Sequence, residues 1–246
     1  MSKPAYNQLI DFSASQQTYT VVDKSFEVSF EPTTLVRETD GSHPRVEWQK
    51  DMGNGTFRLQ VFKSPTQFSA NPLKYSSYGS FKAFFANSSN STNLDYFTYG
   101  PVTPATSLPA SGIFTYRWSG TGQNAGNERV NPTKGSGEMT VNFATKQVSV
   151  DIVVTGNEDF GGTPGTYLTF HIDATIDGSM FKGEANFTDP KALGSVPNSD
   201  NYSGTIAGQF YGPSAQEMGF VYIVGGPGIA TGSRPTYNGG AVGLRQ

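Results

Sequence analysis

"GQFYGPSAQEMGF", residues 208–220, begins as an apolar alternation, halts at Tyr211-Gly212-Pro213 and resumes beyond Glu217. Turn chemistry set inside a strand-like pattern is the mark of two strands joined at one end of a sheet. Gly212 supplies conformational freedom and Pro213 fixes one dihedral as a first helical residue can. Ser214 to Glu217 then predict about one helical turn, a plug at a barrel end, before Gly219 releases the chain.

Outward from this stretch, strands are predicted at Ile113–Trp118, Glu138–Phe143, Val148–Val154, Tyr167–Thr175, Met180–Phe187, Tyr202–Tyr211, Gly219–Val224 and Ala241–Leu244. Eight successive strands with turns as short as "ATKQ" and "DGS" fit an up-and-down antiparallel barrel, because closure removes the two exposed edges of an open sheet. In "YLTFHIDATI" the residues Leu168, Phe170, Ile172, Ala174 and Ile176 share one face, and Tyr167, Thr169, His171, Asp173 and Thr175 share the other. In "FKGEANF" small Gly183 and Ala185 alternate with Lys182, Glu184 and Asn186, which suits a crowded interior and a wet outside. The expected fold is all-β with a soluble barrel whose core is packed.

The 246 residues include 29 Gly, 15 Pro and 13% aromatics, a composition of sheet and turn. A net charge of −3 without any basic block or stripe excludes nucleic acid and an anionic membrane surface as partners. The absence of cysteine removes disulfides, thiolate chemistry and Cys-ligated zinc or iron–sulfur centres. No apolar run approaches the ~18–20 residues of a spanning helix, and "MSKPAYNQLIDF" lacks the pattern of a signal peptide. Composition shifts most at "GPVTPATSLPASG", residues 100–112, so two domains are expected, an N-terminal β domain over 1–105 and the barrel over 106–246. In the first, strands are predicted at Tyr19–Val22, Phe26–Phe30, Arg45–Gln49, Thr56–Phe62, Ser80–Phe85 and Leu94–Tyr99.

The quoted stretch resembles the F-Y-G-x-x-A-x-E-x-G-G signature of the lipoprotein-type barrels of transferrin-binding protein B and its relatives, with Phe220 where that family usually has a second glycine. "YGPVTPATSLPASGIFTY", residues 99–116, is similar to the family's linker from a handle domain to the barrel. The resemblance implies a handle-like β domain ahead of an eight-stranded barrel, in a secreted or cell-surface protein of a Gram-negative bacterium, exported through an outer-membrane translocator. A single handle-plus-barrel unit without a lipidated cysteine is most like the small secreted haem-binding hemophilins. Such a hemophore takes haem from host haem proteins such as haemoglobin and passes it to an outer-membrane haem receptor. The alternative is a non-enzymatic binder of a host protein, either a complement regulator or an iron-carrier protein, through the loops around residues 64–99.

Haem requires an iron ligand, a flat apolar slot and cations for its propionates. The chain has two histidines. His43, in the turn-rich "ETDGSHPRVEW" and constrained by Pro44, is the expected metal ligand, with an ordinary solvated loop histidine as the plain alternative. Arg45 stands close enough in sequence to meet a propionate, and Lys74 is a second cation. His171 falls on the polar face of a central barrel strand and reads as a surface residue. Tyr75 and Tyr78, in "PLKYSSYGSF", are reserve ligands, since tyrosinate can hold ferric haem. Phe84, with Phe68, Tyr75, Tyr78, Phe81 and Phe85, would wall the slot, although Phe81 and Phe85 also fit the core face of a plain strand. The glycine-rich "GTGQNAG" and "VGGPGIATGSRPTYNGG" lack phosphate-loop spacing, and no acid, base and nucleophile converge, so an enzyme is not expected.

Overall fold

The computed structural model describes residues 9–13, 18–23, 26–39, 45–53, 55–62, 68, 71–85, 95–126, 129–157, 164–186, 203–225 and 236–246. They fall into two compact units, Met1–Lys63 with Gly79–Phe97, and Ser64–Tyr78 with Thr98–Gln246. Among the described residues the structure is β throughout apart from single 3-10 turns, and no helix is long and apolar enough to cross a membrane.

In the first unit β1 (Leu9–Ser13), β2 (Thr18–Asp23) and β3 (Phe26–Phe30) form a three-stranded antiparallel sheet. A second sheet follows in chain order: β4 (Leu35–Thr39), β5 (Arg45–Met52), β6 (Gly55–Phe62), β7 (Ser77–Phe85) and β8 (Asp95–Tyr99). β1 and β4 were not predicted. β4 is an edge strand whose Leu35 and Val36 are both exposed, so "LVRET" carries no alternation to read. Trp48, Phe57, Leu59, Val61 and Phe81 are buried on one face of the larger sheet. Phe81 lies 6.1 Å from Phe57 and takes Phe30 of β3 edge-on at 6.2 Å, so the two sheets share this core.

The second unit is the barrel. β9 (Ile113–Gly126), β10 (Arg129–Asn142), β11 (Gln147–Asn157), β12 (Pro164–Asp177), β13 (Met180–Asn186), β14 (Ser203–Tyr211), β15 (Glu217–Gly225) and β16 (Thr236–Arg245) pair antiparallel in chain order. β16 returns to β9 with Ala241 opposite Gly120, which closes the sheet. All eight predicted strands are present, and most run longer than their apolar alternation because closure pairs the flanking residues too.

The alternation resolves as an apolar interior. Phe170, Ile172, Ala174 and Ile176 are buried, with Val150, Ile152, Phe181, Ile206, Phe210, Phe220 and Trp118 around them, while Asp173 and Thr175 face water. Each such ring or branched chain contributes about 1.5–3 kcal/mol on burial. A lipid-spanning barrel would reverse this order, with a polar lumen inside an apolar band. Crowding is real at Gly183, where an added Cβ would stand 2.6 Å from Ala174 Cα. Phe220, at the position where the signature usually has glycine, meets Trp118 edge-on at 5.2 Å and fills the core.

The helical turn predicted after Pro213 is absent. Residues 212–215 form a non-helical turn, and Glu217 already opens β15, paired with Tyr211 and Leu244. Ala215 has φ +56°, which ends any right-handed helix. The carbonyls a helix would use are engaged elsewhere: Gly212 accepts from the Thr103 hydroxyl at 2.6 Å, Ser214 from Arg245 Nη1 at 2.9 Å, and Ala215 from the Tyr116 hydroxyl at 2.6 Å.

Candidate functional site

The signature stretch acts as a clamp. Glu217 is 1% exposed, and a buried carboxylate is tolerated only where donors surround it. The backbone amides of Lys74, Tyr75 and Ser76 donate to it at 2.6, 3.0 and 2.7 Å, and the Ser76 hydroxyl donates at 2.8 Å. One side chain therefore holds a strap 141 to 143 residues away in sequence. Gly212, at φ +83°, lies under the Tyr75 ring, and a Cβ there would come within 2.6 Å of Tyr75 Cδ2. The linker is fastened at this turn and at the neighbouring β12–β13 turn: the Gly212 amide donates to Pro101 O at 3.0 Å, the Thr103 amide to Phe210 O at 2.9 Å, and the Ser179 hydroxyl to Thr103 O. Tyr211 shares a hydrogen bond with Thr98 at 2.8 Å, and burial pushes its phenol up to about 12.

The face of the five-stranded sheet opposite Trp48, Phe57 and Leu59 is polar, and it is buried at Glu47 and Ser80 and half-buried at Arg58, Lys82 and Phe84. Register puts Glu47, Gln60 and Ser80 on one rung, Gln49, Arg58 and Lys82 on the next, and Asp51, Thr56 and Phe84 on the third. Glu47 is 6% exposed and is met by Arg58 Nε at 3.0 Å, Arg45 Nε at 3.6 Å and the Gln60 amide at 2.8 Å. Arg58 also donates from Nη2 to Gln49 at 3.3 Å. Its guanidinium carbon lies 5.6 Å from the centre of the half-buried Phe84 ring, and Lys82 Nζ lies 4.7 Å from the same centre. Burial, and then the neighbouring Arg58 charge, lower the Lys82 pKa.

The described residues predicted to hold haem fall in both units. His43 lies outside the described residues. Arg45 and Phe84 are in the first unit, opposite Phe62 and Thr56 respectively, so six residues of β6, about 20 Å, separate their levels. Tyr75 and Tyr78 belong to the second unit, as do Phe68 and Lys74. Tyr78 is buried, and burial raises its phenol to about 12, which favours the neutral hydroxyl over tyrosinate. Phe81 is core, while the Phe85 side chain lies outside what is described. His171 sits on the outer barrel face as its alternation predicts, with Nδ1 2.7 Å from Asp151 and Nε2 3.2 Å from Asp173. Among the described residues no group of three or more His, Asp or Glu is placed to hold a metal ion.

Sequence reasoning passed over Glu217, Glu47, Arg58 and Lys82. The period-2 order of "GTFRLQVF" and "SFKAFF" already put Arg58 and Lys82 on one face, but only the strand register makes them neighbours.

The barrel is filled by its own side chains, its end turn is fastened to a strap, and Asp173 and Thr175 of β12 face water. Residues 108–243 match the family of "C-lobe and N-lobe beta barrels of Tf-binding protein B", and the chain belongs to that family. The transferrin-binding protein B of Neisseria meningitidis serogroup A / serotype 4A is 30% identical over 89 residues, 35% of this chain and 13% of that protein. Intact Ap-TbpB, with its N and C lobes, superposes with a TM-score of 0.55 at 17% identity, over 92% of this chain and 41% of that one. A transferrin-binding protein B variant from Haemophilus parasuis Hp5 gives 0.54 at 15% identity, over 96% of this chain and 45% of that one. These structures share the fold, and the chain spans less than half the length of each relative.

Proposed function

We propose that the chain is a cell-surface, non-enzymatic binder of a host iron-carrier protein of the transferrin type, serving iron acquisition. The observation that carries this reading is the family match over residues 108–243, which takes in all eight barrel strands up to Gly243 of β16. The packed interior supports it, because a barrel whose lumen is filled by Trp118, Phe170, Phe210 and Phe220 offers outer surfaces and loops for recognition. Delivery of iron to an outer-membrane receptor, and export through an outer-membrane translocator, follow from the same reading.

The test is a biosensor panel of immobilised host transferrin and related iron carriers, with complement regulators and haemoglobin as comparators and a haem titration run in parallel. Saturable binding to an iron carrier, with no stoichiometric Soret endpoint, is the expected result. Haem capture, with His43 on the iron and Arg45 at a propionate, is the competing outcome. A stoichiometric Soret endpoint lost in His43→Ala, together with silence on every carrier, would replace the proposal with that one.

A further inference from the structure

We propose that the half-buried Arg58–Phe84–Lys82 cluster on the polar face of the five-stranded sheet is a docking point for a carboxylate-bearing segment of a protein partner. It rests on the reading of the chain as a protein binder and adds the chemistry that the partner presents.

Cross-strand pairing places Arg58 and Lys82 side by side, with Phe84 one rung along β7. Both cations approach one ring, at 5.6 and 4.7 Å from its centre. The negative face of a ring attracts a cation, but it does not cancel the repulsion between two of them. Among the described residues, Glu47 and Asp51 on this face are committed. Glu47 is shared among Arg45, Arg58 and Gln60. Asp51, two strands from Phe84, takes the Thr56 hydroxyl at 2.6 Å. Among the described residues no carboxylate lies within ion-pair distance of Lys82. Excess positive charge is thus held over a half-buried aromatic ring, on a chain whose net charge is −3.

A carboxylate arriving between Arg58 and Lys82 relieves their repulsion, and its methylene stem gains the Phe84 ring as an apolar flank. Charge complementarity favours an acidic protein segment over a membrane. An anionic bilayer is held by clusters of several basic residues, whereas this face pairs two cations with one ring and has Asp51 beside it.

The probe is an acetylated, amidated peptide of alternating glutamate and leucine, titrated into the full chain and followed by two-dimensional NMR. Shift changes should cluster at Arg58, Lys82 and Phe84 and weaken as salt is raised. Lys82→Gln removes one charge without touching the Glu47 network and should weaken peptide binding about tenfold, while Lys82→Arg should retain it. Shifts centred elsewhere, or a Lys82→Gln protein that binds as wild type does, would overturn the proposal. An equal response to inorganic phosphate would reduce the cluster to an adventitious anion site, and co-sedimentation with phosphatidylserine vesicles dependent on Lys82 would assign it to a membrane. If the peptide docks at the cluster while every iron carrier stays silent, the carrier reading fails and the docking chemistry stands.

Discussion

Replacing Glu217 with Gln preserves shape and removes one acceptor. In the wild type Oε1 serves the Lys74 amide alone, and Oε2 serves the Tyr75 and Ser76 amides and the Ser76 hydroxyl. The glutamine oxygen therefore settles where three donors converge, and its NH2 group is left facing the Lys74 N–H. One orphaned donor costs about 1 kcal/mol, and the three remaining bonds each lose about 0.5–1 kcal/mol when their acceptor is no longer charged. The sum, about 3 kcal/mol, is a large fraction of the ~5–15 kcal/mol that stabilises a typical domain. Urea unfolding followed by Trp118, which lies edge-on to Phe220 in the barrel core, should show a lower midpoint at an unchanged slope. Hydrogen exchange supplies the sharper test. The amides of Lys74, Tyr75 and Ser76 lie outside every strand, yet should exchange slowly in the wild type and fast in Glu217→Gln. A variant that loses less than about 0.5 kcal/mol and keeps all three amides protected would refute the clamp.

Gly212→Ala must adopt φ +83° and push against Tyr75, so a loss of about 2 kcal/mol is expected in the same urea assay, with exchange at Tyr75 rising in parallel. His171 should titrate above its ordinary 6.5 by NMR, raised first by its hydrogen bond to Asp151, and Asp151→Asn should lower the midpoint. Because the folded-state value is the higher one, the stabilisation from His171 is complete below about pH 6.5 and is lost as pH rises through that folded-state value. The phenols of Tyr78 and Tyr211 should ionise only near pH 12, read by ultraviolet absorbance, and each should erode stability as pH climbs from about 10 toward that point, where the unfolded chain has already released the proton.

Strands were legible wherever one face is buried and the other wet, because a period of two then shows directly in residue type. "YLTFHIDATI" gave both the strand and the faces of β12, and His171 landed on the outside for that reason. β4 was illegible because an edge strand that leaves the adjacent Leu35 and Val36 both exposed prints no alternation there. The turn after β14 misled because Pro213 and the residues after it favour a helix locally, whereas Thr103, Tyr116 and Arg245 capture its carbonyls from parts of the chain that local propensity does not see. Candidate haem residues were chosen by closeness in sequence and by type. Arg45 stands close in sequence to His43, and Phe84 to Tyr75 and Tyr78; strand register, which the sequence does not print, places Arg45 and Phe84 at levels about 20 Å apart on one sheet.

Glu47 and Glu217 show why similar burial leads to different roles. Both are nearly sealed from water, at 6% and 1% exposure, and both need compensation. Glu217 is compensated by neutral donors, mostly backbone amides, whose positions are fixed by the path of the chain. Its hydrogen bonds fix geometry and leave no countercharge over, so the result is a clamp. Glu47 is compensated by guanidinium groups, and there cations outnumber the carboxylate: Arg45 and Arg58 both lean on it, and Lys82 is added beside Arg58 on the next strand. A site compensated by dipoles is complete by itself, whereas one overcompensated by cations presents its surplus to solvent. The first arrangement suits the barrel end that holds its strap, and the second is the surplus on which the proposed docking of a partner's carboxylate rests.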